Sequence, residues 1–221
     1  MSGFSQPGRL VTGSVIYLIV LALAWPASAV DVEQLKQKIQ AVAKLEKSAY
    51  TQGRQELEQL YPDNKASFEE LIKISDDWRV ILLCQIVKER IEKRRDIERF
   101  KSSNLGVDPH HSRDVVESRV SEKIAKNGRE IPAVIAERVW KGNDLPDETC
   151  RSYMGALGWM KASLARRLLE DIVLHDEFFT NRSELLRTII PEQTLRDIDE
   201  LRAVAAWSLG QIGDPRSVPV L

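Results

Sequence analysis

Cysteine is scarce in this chain, with two residues among 221. So few exclude a scaffold stapled by disulfides and a zinc site built from four thiolates. Three histidines leave little material for a histidine-rich metal centre. Neither sign of charge predominates: 32 Lys and Arg stand against 33 Asp and Glu, a formal net charge of −1. That balance excludes an overall basic nucleic-acid binder and an acidic tail protein. There is no glycine-rich phosphate loop, no HExxH and no GxSxG. No catalytic, cofactor-binding or metal-binding residue is therefore assigned, no cofactor is expected, and the expected role is non-enzymatic. Beyond the first thirty residues no apolar run reaches the about 20 residues needed to span a bilayer.

What the chain does have begins with a targeting signal. Residues 14–25 form a twelve-residue apolar run preceded by a single charge, Arg9. Pro26 follows, then the small residues Ala27, Ser28 and Ala29. A positive start, a short apolar stretch and small residues at −3 (Ala27) and −1 (Ala29) predict a secretory signal over 1–29, cleaved after Ala29. The alternative is a retained N-terminal anchor. The mature product would start at Val30, carry a net charge of −2 and have no stable membrane span. The expected location is outside the cytoplasm, periplasmic or extracellular.

The remainder, 43% apolar and 29% charged over the whole chain, is long enough to bury a core. Its apolar residues recur at helical spacing. Val32, Leu35, Ile39 and Val42 share one face, and Gly53 weakens the middle of the stretch 31–61. Tyr61-Pro62-Asp63-Asn64 reads as a turn, with Ser67 capping a short helix after it. A long helix is expected from Trp78 to Phe100. Its first half is apolar on nearly every side, and its second half, Lys88–Lys101, is charged all round and expected in solvent. Residues 102–112 are rich in Gly, Pro and small polar residues and suggest a linker. An N-terminal helical region (30–111) and a second region (112–221) follow from that boundary. In the second, Asn127-Gly128 and Gly142 stop helices, and Pro132 starts one. No segment alternates long enough for a convincing strand. The expected fold class is all-α, with antiparallel helix pairs.

The last 22 residues, Glu200–Leu221, carry the most specific pattern. Arg202 precedes the small residues 203–206. Ser208-Leu209-Gly210 follows, then Ile212-Gly213-Asp214-Pro215, and finally Val218-Pro219-Val220-Leu221. Small residues let a partner helix approach, Gly213 suits the positive φ of a helix end, and Pro219 suits a first helical turn. This pattern resembles the HEAT-like repeat of the phycobilin-lyase type. Weaker copies lie at Asn127–Ile135 and at Ala156-Leu157-Gly158, and residues 175–199 read as an insertion or degenerate unit. The resemblance implies a short α-solenoid whose last repeat is truncated at Leu221. Because a helix pair cannot bury its apolar face alone, a partner or a second copy is expected to cover the open end, or the chain is part of a longer protein. The leading functional expectation is protein–protein interaction or scaffolding in the cell envelope. Self-association through the open C-terminal end stays an option, and nucleic acid is not an expected partner. The alternatives are an accessory N-terminal part of a larger exported protein with its activity beyond residue 221, and the attachment of a bilin to a protein cysteine, which the resemblance would imply.

Cys84 and Cys150 both fall on apolar faces, where either a disulfide or a pair of buried thiols would fit an exported protein. His110-His111 reads as linker, and His175 as a helix end. Trp78, Trp140, Trp159 and Trp207 lie on or beside apolar faces and are expected in the core. Asn181-Arg182-Ser183 fits a glycosylation acceptor.

Overall fold

The computed structural model describes residues 31–102, 113–142, 147–175 and 191–221. Among these residues the chain is all-α, with no strand. Helix α1 (Val32–Ala43) turns at 44–46 into α2 (Lys47–Ile74), followed by α3 (Trp78–Glu92) and α4 (Arg94–Ser102). Next come α5 (Arg113–Asn127), α6 (Pro132–Lys141), α7 (Asp147–Trp159), a 3-10 turn at Ser163–Ala165, α8 (Arg166–Leu174), α9 (Pro191–Ile212) and a closing 3-10 helix, Pro215–Val220.

Several expected boundaries move. The turn at 61–64 is a kink inside α2, where Asn64 leaves helical geometry (φ −122°, ψ 21°) two residues after Pro62. Proline removes a helix hydrogen bond and crowds the preceding turn. The Asn64 side chain donates to the Leu60 carbonyl at 3.0 Å, which recovers part of the loss. The helix therefore continues, and Ser67 lies within it rather than capping a new one. The break near Gly53 falls earlier, at 44–46. The long helix from Trp78 is broken at Lys93 (φ −117°, ψ 31°), dividing α3 from α4. Its charged half is not all in solvent, since Ile97 and Phe100 are buried and Glu89 and Arg90 turn inward.

Helices α1, α2 and α3 pack on one another, and α3 also packs against α6. The segments on either side of residue 112 thus share one apolar core, from Leu35 to Leu209. Beyond α4 the helices form two layers. Helices α5, α7 and α9 lie side by side in one, with α7 central. The other holds α6, α8 and the closing 3-10 helix, where α6 meets the 3-10 turn before α8, and α8 meets the closing helix. This is the arrangement of stacked helix pairs. Of the stretch 175–199 expected as an insertion or degenerate unit, 176–190 lie outside the described residues, and 191–199 form the first half of α9, the last repeat's leading helix. The 52-residue interval between Gly158 and Gly210 contains this long helix.

Candidate functional site

Two features of the fold could do chemistry or recognition: the seam of the helix stack and a buried charge cluster near its other end. The seam is built on small residues. A Cβ placed at Gly155 would sit 2.6 Å from Ser121 Oγ, and one at Gly158 only 2.9 Å from the Cα of Ser208. Two helices this close must have hydrogen in place of a side chain at one of them. Ser208 is fully buried, and its hydroxyl donates to the Met154 carbonyl at 2.9 Å, so the contact is also hydrogen-bonded.

Gly158 and Gly210 occupy the same place in their repeats. Three residues after each, the backbone turns left-handed, at Lys161 (φ 51°) and at Gly213 (φ 70°). Lys161 N–H then bonds the Gly158 carbonyl, and Ala162 N–H the Leu157 carbonyl, closing α7. Yet a Cβ at Gly210 meets nothing within 4 Å. The α9 face that carries it, with Ala203, Trp207 and Gln211, is exposed.

The other residues of the repeat signature serve α9 and its turn. Leu209 is buried, and Arg202 lies half-buried on α9. Asp214 caps the closing 3-10 helix by accepting from the Arg216 backbone N–H at 3.0 Å. Hydrogen bonds from the Arg216 guanidinium and backbone, with Arg166 alongside, hold its carboxyl well below the usual carboxylate range. Arg166 also donates to buried Glu170 at 2.6 Å, and Glu170 accepts from the Ser217 hydroxyl at 2.8 Å. The last repeat is thus tied to α8 through polar groups. Pro215, not Pro219, holds the first position, and the segment is 3-10 instead of α, with Pro219 inside it.

Tryptophans divide into two pairs. Trp78 and Trp140 meet edge to face at 5.6 Å and are half-buried. Trp159 and Trp207 also meet edge to face, at 5.7 Å, but are 46% and 42% exposed, so this pair stands on the surface rather than in the core. Cys84 and Cys150 are buried thiols with no disulfide between them. Burial pushes the Cys84 thiol up to about 12. His175 ends α8 as expected. Ala27, Ala29, His110, His111 and Asn181 lie outside the described residues.

The charge cluster is the feature that sequence reasoning missed. Glu137 of α6 is buried and accepts from the Tyr50 hydroxyl at 2.8 Å and from Arg90 Nε at 3.0 Å. Arg54 Nε lies 3.0 Å from the same carboxylate. Its hydrogen is not aligned with that oxygen, and this buried nitrogen has no hydrogen-bond partner. Arg54 and Arg90 also approach Glu58. Burial, then the Glu137 charge, raises the Tyr50 hydroxyl well above its ordinary value, and burial lowers the Arg54 guanidinium. Beside the cluster, Lys141 Nζ donates to the Ala43 and Leu45 carbonyls and to Glu46, closing the end of α1 from across the fold. Glu89 of α3 plays the reciprocal part, accepting from the Ala133 N–H at the start of α6. No sequence pattern announces these pairs, because Tyr50 and Glu137 are 87 residues apart.

Fold and seam together define the class, an all-α protein with stacked helix pairs ending in a HEAT-like repeat. The family model of the PBS lyase HEAT-like repeat matches residues 201–221, which cover the last half of α9 and the closing 3-10 helix. No curated protein and no solved structure matches the chain.

Proposed function

We propose that this chain is an exported, non-enzymatic helical-repeat module that binds another protein through the outer face of α9. The carrying observation is the contrast between the two repeat-equivalent glycines. Gly158 is pressed against the next helix, whereas Gly210 faces open space. A surface shaped to receive a helix, with a half-exposed tryptophan beside it, suits a protein partner, since aromatic side chains are enriched at such contacts. The export proposal rests on the apolar run and the Ala27-Ser28-Ala29 site.

The test is a photo-crosslinking amino acid at Gln211, on the open face, and at Gln37, exposed on α1. In the cells that make the protein, an adduct of one defined mass at 211 and none at 37 is expected. The crosslinked protein, purified, should then bind the chain in isolation. Equal labelling at both positions, or none at 211, contradicts the proposal. The same preparation checks export, because the mature chain should begin at Val30. A second reading comes only from the name of the matched family, the PBS lyase HEAT-like repeat. An absorbance titration with bilin tests it, and an unchanged spectrum removes it.

A further inference from the structure

A cleft of about 370 Å³ opens where the start of α2 meets the end of α6. Lys47 and Ser48 of α2, Arg90 of α3, and Arg138 and Lys141 of α6 line it, with Arg54 and Glu137 as its inner wall. The charges there do not cancel. Arg54 and Arg90 are matched by Glu58 and Glu137, and Lys141 by Glu46. Lys47 and Arg138 form no ion pair among the described residues, so two positive charges are left over.

Two further observations point the same way. Helix α2 starts at the cleft without a side-chain cap, and Lys47 and Ser48 of its first turn line this space. Arg54 is only 8% exposed, and its buried Nε lies 3.0 Å from Glu137 Oε1 as an ion pair without an aligned hydrogen bond. A buried donor left unsatisfied is costly, and a bound acceptor would relieve it. The size also fits, because ligand clefts commonly start at about 300 Å³.

We propose that this cleft binds a tetrahedral oxyanion of the phosphate class, either the free ion or a phosphoryl group carried by a small molecule. Two surplus charges match a phosphate monoester, which carries about −1.5 to −2 near neutral pH. The donors converge from a helix start, a lysine and guanidinium forks on different helices, a set that suits a tetrahedral group better than a flat carboxylate.

The test is calorimetric titration of the full chain with inorganic phosphate, glycerol phosphate and succinate at constant ionic strength. Saturable one-site binding of phosphate is expected, with succinate at least about tenfold weaker. The double variant Lys47→Gln, Arg138→Gln should lose at least about tenfold in affinity, because it removes the two unmatched charges. Neither residue belongs to the buried Glu137 pairs, so the variant should stay folded and lose only the contact of the Arg138 guanidinium with the Tyr153 ring. The variant Arg54→Lys is the second probe, keeping the charge but removing the Nε donor, and it too should weaken binding. Tighter binding of glycerol phosphate than phosphate would assign the site to a carried phosphoryl group, and equal binding to the free ion. Absence of saturable binding, equal affinity for succinate, or unchanged affinity in the double variant would each overturn the proposal.

Discussion

Replacing Gly158 with alanine should open the seam between α7 and α9. The new Cβ would stand 2.9 Å from Ser208 Cα and 3.1 Å from its Cβ and Oγ. Carbon contacts settle near about 3.5–4.0 Å, so the helices must separate by several tenths of an ångström or more. The nearest atom is backbone, and no side-chain rotation can relieve it. Overpacking of this kind costs about 1–3 kcal/mol. Weakening the Ser208–Met154 hydrogen bond adds up to about 1 kcal/mol. The higher helix propensity of alanine returns at most about 1 kcal/mol. The expected balance is a loss of about 1–3 kcal/mol, which lowers Tm by several degrees in a chain of this size. Gly210→Ala is the matched control. It occupies the same repeat position but meets nothing, so it should gain about 0.5–1 kcal/mol from propensity alone. Urea unfolding of both variants, followed by circular dichroism, reads the two signs. A Gly158→Ala variant as stable as its parent would refute the close seam. A destabilised Gly210→Ala would refute the open face.

Three other outcomes can be checked on the same protein. Lys161 and Gly213 share a left-handed turn, so Lys161→Gly should stabilise by about 0.5–1 kcal/mol, whereas Gly213→Ala should cost about 1 kcal/mol; equal signs in thermal melts would count against the shared turn. Burial raises the Glu89 carboxyl to about 7, opposed by Lys93 and by the backbone N–H groups of Ala133 and Val134. Its folded value lies above its ordinary one, so the native state holds the proton longer. The associated stability is present below about pH 4.5 and is lost as pH rises through about 7, by up to about 3 kcal/mol. Glu89→Gln keeps the acceptor for Ala133 and should flatten this slope, gaining on the parent above pH 7; a parallel pH profile would contradict the burial of Glu89. Finally, both cysteines should resist a thiol reagent in the native protein and react as two thiols after denaturation without reductant, and a count of zero would show a disulfide.

Much of the helix punctuation was legible because it depends on local chemistry. Pro132 at the first position of α6, the end of α5 at Asn127-Gly128 and the left-handed Gly213 all act within a turn of themselves. The pairing of Leu157-Gly158 with Leu209-Gly210 was also visible as repetition. The sequence could not distinguish a helix stop at 61–64 from a kink, because the outcome depends on packing of Tyr61 and Phe68 on both sides of Pro62. Nor could it separate the two tryptophan pairs. Trp140 has Trp78 and Tyr50 around it, whereas Trp159 and Trp207 lie on an edge where no further helix of the described chain is stacked. The Glu137 cluster was hidden for the same reason. Its members come from α2, α3 and α6, and only the tertiary fold turns Arg90 from an exposed helix face toward a buried carboxylate.

The proposal that another protein covers the outer face of α9 can be tested by blocking that face. Gly210→Arg tests this, since a Cβ there meets no atom outside its own helical turn within 4 Å. Size-exclusion chromatography with light scattering would compare the parent and Gly210→Arg, each isolated gently from the cells that make them. The parent should run with its partner, and Gly210→Arg should run alone, with a melting temperature no lower than that of the parent chain by itself. A complex that survives the substitution, or a variant that unfolds because of it, would rule out this contact.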